Sequence, residues 1–350
     1  MRKIIAALLS FILVIIVLLV YNKNDIKIDD VIPYQPPKKN ISFNESLLSV
    51  NKEGLKSILY FLTSSDLEGR MSGKKGNDLA KDYIFRYYSE LGYTVSLQEF
   101  AIQNLNNYKE QGSGRTCNVI AVLSGNDVNL SDETVVIGAH YDHIGYGPSM
   151  SQTPQRREIH PGADDNASGT TALLGAAKIL SMMKGKNKRR IVFISFSAEE
   201  MGLIGAKYYV NNPKHTNMVF MLNMDMVGRL NGKKEISALG AGSSVEVSRV
   251  IEGLSGYPFK ARITSGSGGG SDHVPFYQKS IPVCFLHTGM HNDYHTPDDT
   301  ANKIDFDGLV WVSRYAANIV WEVSNLSQKP TFKGVIGIGD NDFIDHDWKR

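Results

Sequence analysis

The sequence predicts an α/β fold, a three-layer α-β-α sandwich around a mostly parallel mixed sheet, and three observations carry that prediction. Short runs of Val, Ile, Phe, Met and Leu recur between Thr134 and Leu286, segments with helical character lie between them, and the runs show little polar alternation. Strands of that kind are covered on both faces, as a sheet sandwiched between helix layers requires.

The elements follow in chain order. Arg2 and Lys3 precede an apolar run from Ile4 to Val20 that only Ser10 interrupts. Its length falls between a signal-peptide core and the roughly 20 residues that cross a bilayer, and no Ala-x-Ala cleavage site follows. We read residues 1–21 as an uncleaved membrane anchor in preference to a removed signal peptide. In either case the basic residues ahead of the run place the remainder outside the cytoplasm, in the periplasm, at the cell surface or secreted. Residues 22–42 are polar, carry Pro33, Pro36, Pro37, Lys38 and Lys39, and read as a flexible linker. A catalytic domain is expected over residues 43–328 and a tail over 329–350.

Within that domain Leu79, Tyr83, Ile84, Tyr87, Tyr88 and Leu91 recur at helical spacing and stop at Gly92, so Asn77 to Leu91 is an amphipathic helix. Strands are expected at Asn118 to Leu123, Thr134 to Ala139, Arg190 to Ser197, Met218 to Met224 and Pro282 to Leu286. Helices at Gly169 to Met183 and Leu203 to Val210 separate some of them. No internal repeat is present.

Composition excludes several functions. Across 350 residues, 38 basic side chains nearly balance 36 acidic ones for a formal charge of +2, which leaves no electrostatic footprint for nucleic acid. Cys117 and Cys284 are the only cysteines, so no disulfide framework exists, and two buried thiols are the favoured reading. Gly-x-Ser-x-Gly is absent, and the Gly-rich stretch from Ser265 to Ser271 lacks the Gly-Lys-Ser/Thr ending of a phosphate loop.

What remains is a set of metal-type residues at strand exits. His140 directly follows one strand, Glu199 and Glu200 another, and Asp225 a third, which is the edge where open α/β sheets bind ligands. His140 has Asp142 two residues on, able to orient its second ring nitrogen, with His143 as a rival ligand. Asp164 and Asp165 precede a helix, where capping is the plain explanation; beside other ligands, one of them can bridge two cations. Of Glu199 and Glu200, one can bind metal while its neighbour, pointing the other way, takes a proton from water. Asp225 is a lone acid in an apolar stretch, costly unless paired or ligated. His295 is preferred over His291, with Tyr294 beside it as a donor to a developing oxyanion. One ligand from each motif gives five, enough for two zinc ions with three protein ligands each if one carboxylate is shared. A fourth position then stays open for water, as hydrolytic chemistry needs.

The order and wording of these motifs, from Leu67-Glu68-Gly69-Arg70 through Gly270-Ser271-Asp272-His273 to about Val323, resemble the zinc exopeptidases of metallopeptidase family twenty-eight. That family includes bacterial aminopeptidases, glutamate carboxypeptidases and glutaminyl cyclases. The resemblance implies a zinc-exopeptidase fold and peptide substrates. It further implies that His140 and Asp225 bind one zinc, Glu200 and His295 the other, and Asp165 both. It makes Glu199 the general base, Asp142 the partner of His140 and Tyr294 the oxyanion donor, with a cis peptide after Asp165. An aminopeptidase is favoured over a carboxypeptidase, because the short interval between Phe100 and Thr134 has no room for that branch's inserted domains. A glutaminyl cyclase and a receptor-like ectodomain without activity are the other outcomes the family allows.

Overall fold

The computed structural model describes residues 41–102, 114–147 and 149–334. The expected anchor, the linker up to residue 40 and the end of the tail lie outside the described residues. The described residues lie within one compact unit. Among the described residues no helix is long and apolar enough to cross a membrane.

The chain begins with two helices, α1 (Phe43–Leu47) and α2 (Lys52–Leu62), followed by α3 (Lys75–Glu90). Ser42 opens α1 with reciprocal capping to Glu45, and Asn51 caps α2 by accepting the Gly54 amide at 2.9 Å. Strands β1 (Thr94–Ala101), β2 (Arg115–Leu123) and β3 (Thr134–His140) lead through an irregular turn at Ala163–Ser168 into α4 (Gly169–Ser181). Then come β4 (Arg190–Phe196), α5 (Ile204–Asn211), β5 (Met218–Met224), β6 (Glu235–Leu239), α6 (Val245–Gly253), β7 (Lys260–Ile263), α7 (Val274–Gln278), β8 (Val283–His287) and α8 (Phe306–Asn325).

All eight strands form one mixed sheet in the order β1-β2-β4-β3-β5-β8-β6-β7. Its centre, β4-β3-β5-β8, is parallel; β1 with β2, β2 with β4 and β6 with β8 pair in antiparallel fashion, and the edge strand β7 runs parallel to β6. Every residue of β3 is buried, and only the first residue of β4 and of β5 is not, which explains the unbroken apolar runs in the sequence.

Helices cover both faces. On one, Ile194, Phe196, Tyr209, Met221, Phe276 and Val283 join the sheet to α5 and α7 in a single apolar cluster. On the other, α4 is buried around nearly its whole circumference against the sheet and α8. Close approach there depends on Gly175: a Cβ would stand 3.0 Å from Ser313 Oγ on α8.

Register brings the strand exits to one edge. His140 pairs with Phe196 across β3 and β4, and Met224 with Leu286 across β5 and β8, so the segments after all four strands leave the sheet side by side. The three-layer α/β architecture is therefore as the sequence predicts. Eight elements fall outside the segments assigned from it: α1, α2, β1, β6, α6, β7, α7 and α8.

Candidate metal centre

Four loops and one turn converge at that edge. His140 ends β3, Glu199 and Glu200 follow β4, Asp225 follows β5, His295 sits in the loop after β8, and Asp165 lies in the turn that starts α4. Several of these positions have unusual backbones: Ala198, Met226 and His295 are non-glycine residues with φ of 59°, 53° and 53°, a conformation that surrounding structure must impose. The Asp165–Asn166 peptide is cis, as the resemblance implies.

Asp165 stands between two donor groups. Its Oδ1 is 3.5 Å from His140 Nε2, which is also 3.5 Å from Asp225 Oδ2. Its Oδ2 is 3.1 Å from His295 Nε2, which is 2.9 Å from Glu200 Oε2. The ligand atoms of His140, Asp165 and Asp225 form one compact group, and those of His143, Asp165, Glu200 and His295 another. The five residues expected from the sequence as ligands are thus brought together, and Asp165 belongs to both of these groups.

Residues outside these groups fix their orientation. His295 donates from Nδ1 to the Met150 carbonyl at 3.0 Å, leaving Nε2 for the centre. His140 Nδ1 lies 3.2 Å from the Asp142 carbonyl oxygen and 3.7 Å from its carboxylate. The main-chain oxygen is therefore the nearer partner, and the Asp142 carboxylate accepts the Glu199 amide at 3.2 Å instead. The sequence assigned the whole task to the carboxylate because local spacing cannot distinguish the two oxygens. Asp225 Oδ2 accepts from Ser271 Oγ at 2.8 Å, and the Asp165 amide donates to Asp299 Oδ2 at 3.0 Å. Buried Arg70 donates to the carbonyls of Tyr141, Pro161 and Gly162, tying the exit of β3 to the turn that carries Asp165.

Two rival histidines resolve differently. His291 turns away, its Nε2 3.1 Å from Asp164 Oδ2. His143, by contrast, joins the group around Glu200, with Nδ1 2.7 Å from Glu200 Oε1. Of the two adjacent aspartates only Asp165 enters the centre; Asp164 Oδ1 accepts the Gly228 amide.

Charge is the dominant property of the site. Burial pushes the Glu199 carboxyl well above its ordinary range, with His140 opposing and Glu200, Asp225 and Asp272 adding to the rise. Burial and the Glu200 charge likewise push Asp165 up to about 7, against the pull of His295. Burial works against charge on His140, yet Glu199 and Asp225 outweigh it and hold that imidazole well above its usual value. Such a concentration of acids calls for cations. Buried His140 Nε2, His295 Nε2 and Asp225 Oδ1 find no hydrogen-bond partner among the described residues, as atoms reserved for a metal would. Imidazole and carboxylate donors together suit zinc.

Around the centre, Glu199 Oε2 lies 3.9 Å from His140 Nε2. Tyr294 stacks on the His295 ring at 3.9 Å. Burial, followed by the charges of Asp165, Glu200, Glu199 and Asp225, pushes the Tyr294 phenol well above its ordinary value, so it stays a donor. Cys117 and Cys284 are buried free thiols. Ser271 and Asp299, which hold Asp225 and Asp165, were not singled out for those contacts in the sequence. Ser271 lies inside the Gly270-Ser271-Asp272-His273 motif, whereas Asp299, four residues past His295, carried no signal.

Residues 118–320 match the model of Peptidase family M28. Over 311 residues the chain is 24% identical to aminopeptidase YwaD of Bacillus subtilis, an alignment spanning 83% of this chain and 62% of that protein. Its fold is similar to that of BSAP, a zinc aminopeptidase from Bacillus subtilis, with a TM-score of 0.63 at 18% identity over 78% of this chain and 95% of that one. A similar likeness, TM-score 0.63 at 20% identity over 77% and 97% of the two chains, links it to Porphyromonas gingivalis glutaminyl cyclase. The chain spans about half to three-fifths of the length of the curated relatives it matches.

Proposed function

The chain belongs to peptidase family M28, and from that premise we propose that it is a zinc-dependent aminopeptidase that hydrolyses the N-terminal bond of peptides at a two-ion centre. One observation carries this reading: the two oxygens of Asp165 face two separate groups of histidine and carboxylate donors. His140, Asp165 and Asp225 would hold one zinc, and Asp165, Glu200 and His295 the other. Bound zinc supplies a Lewis acid for the peptide carbonyl and lowers the pKa of water toward neutrality.

The chain's own groups do the rest. Glu199 accepts a proton from the attacking water at its carboxylate and returns it to the leaving amine, a task suited to an acid whose pKa burial has raised. Its backbone amide, anchored on Asp142, keeps the carboxylate at the edge of the donor groups. Tyr294 donates a hydrogen bond from its phenol to the oxyanion that develops at the carbonyl and keeps its proton. The aminopeptidase and zinc aminopeptidase among the similar proteins support the choice of substrate end. The apolar run from Ile4 to Val20 supports an extracytoplasmic site of action, tethered at the N-terminus.

A release assay on aminoacyl anilides with free and with acetylated N-termini, run with and without chelator, tests the reading. We expect turnover of the free series alone and its loss on chelation. Cleavage of the acetylated series, or conversion of N-terminal glutamine peptides to pyroglutamate without hydrolysis, would overturn it.

A further inference from the structure

We propose that His143 is a positioning residue that holds Glu200 to one-oxygen ligation and so sets the affinity of one half of the metal centre. The inference rests on the two-ion reading above and concerns a side chain to which that reading gives no role.

The carboxylate of Glu200 is divided. Oε2 faces His295 Nε2 at 2.9 Å, whereas Oε1 faces His143 Nδ1 at 2.7 Å, a hydrogen-bond distance. With Oε1 occupied by a donor, the carboxylate cannot rotate to place both oxygens on one ion. Asp225 differs: the Ser271 hydroxyl donates to Oδ2, the oxygen that also faces His140, and Oδ1 has no partner among the described residues.

Proton placement distinguishes a positioning role from ligation. The imidazoles of His140 and His295 turn Nε2 to the centre and each holds Nδ1 against a main-chain oxygen, of Asp142 and Met150 respectively. His143 is arranged the other way. Its Nδ1 faces a carboxylate, and its buried Nε2 has no partner among the described residues. Were Nδ1 a ligand, the proton would sit on Nε2 and a buried N–H would be orphaned. With the proton on Nδ1 and donated to Glu200, only an acceptor lone pair is left unpaired, which is the more tolerable deficit.

The ring has little freedom to do anything else. A Cβ on Gly162 would collide with the His143 ring, so glycine there, at a φ of 54°, allows the imidazole its place. Arg70 in turn holds the Gly162 carbonyl at 3.0 Å. The T-shaped contact with the His295 ring, centroids 5.6 Å apart, closes the other side.

Three substitutions in the full chain test this. His143→Leu fills the space without a donor, His143→Asn places an amide N–H near the position of Nδ1, and His143→Gln places it near Nε2, out of line with Glu200. Zinc stoichiometry and affinity are measured by competition with a chromophoric chelator, and the visible spectrum of the cobalt-substituted protein reports ligand geometry. We expect two ions in the wild type. His143→Leu and His143→Gln should weaken one of them roughly ten- to a hundredfold and shift the cobalt bands, while His143→Asn returns both to near wild-type values. If Leu fails to fold, the contrast between Asn and Gln carries the test. Equal affinities in all variants beside a two-ion wild type would overturn the inference alone, as would equal weakening by Asn and Gln. A wild type that takes up no zinc would overturn the two-ion reading with it.

Discussion

Asp299 holds Asp165 by its main chain: Asp299 Oδ2 accepts the Asp165 amide at 3.0 Å and the Asp164 amide at 2.8 Å, while its Oδ1 meets Arg229 at 2.9 Å. The carboxylate between the two donor groups is thus fixed from behind by one that belongs to neither. We expect Asp299→Ala to keep all five donors and yet lower zinc affinity by roughly ten- to a hundredfold, the usual cost of losing a partner outside the ligands. Chelator competition measures it. Wild-type affinity in the variant would show that the turn holds its shape without Asp299.

Removal of the shared carboxylate has a different signature. Asp165→Ala withdraws an oxygen from both groups, so both ions should be lost, whereas Asp225→Ala should release only the ion on the His140 side. Zinc content by atomic absorption after dialysis distinguishes the two. Retention of one full equivalent by Asp165→Ala would mean that the carboxylate is not shared.

Glu199 lies outside the two donor groups that contain Asp165; its carboxylate does approach His140 and Glu200, but both of those side chains already belong to the groups around Asp165. Glu199→Gln should therefore keep its zinc while kcat falls by about 10²- to 10⁴-fold, the contribution expected of a positioned general base. Measuring metal content and kcat on the same preparation checks both halves. Ordinary turnover in the variant would remove Glu199 from proton transfer.

Legibility in the sequence followed burial. Strands β3, β4 and β5 are covered on both faces, so their composition alone identifies them, and the ligands just beyond them could be placed at one edge. Glu235–Leu239 and Lys260–Ile263 lie at the far edge, where polar and apolar residues alternate over only five and four positions, too short a stretch to mark a strand beside the long apolar runs. Helix α8 does carry a pattern, with Leu309, Val312, Ala316, Ile319, Val320 and Val323 buried and Asp305 capping its start, yet its partner α4 is far away in sequence. The centre shows the same division. Which residue types ligate could be read from motifs, but the split of the Glu200 oxygens between His143 and His295 depends on how two loops meet. The preference of His140 for a carbonyl over the Asp142 carboxylate also needs coordinates.

The last prediction concerns pH and a histidine that faces no ligand group. His273 stacks on Phe285 at 4.5 Å, donates from Nε2 to the carbonyls of Ser267 and Gly268, and is held by burial at a pKa of about 4. An unfolded histidine titrates near 6.5. Between those values the unfolded chain binds the extra proton, so folding stability rises with pH across the window and falls as acid is added, by about 1.4 kcal/mol per pH unit for this group. Above pH 6.5 the contribution is complete. His273→Gln keeps a donor for the two carbonyls but has nothing to titrate. Denaturant unfolding of the chelated protein between pH 4.5 and 7 should therefore show a shallower acid dependence in the variant, by about one proton. Identical slopes would mean that His273 is already neutral in the unfolded chain or solvated in the folded one, and the burial argument would fail.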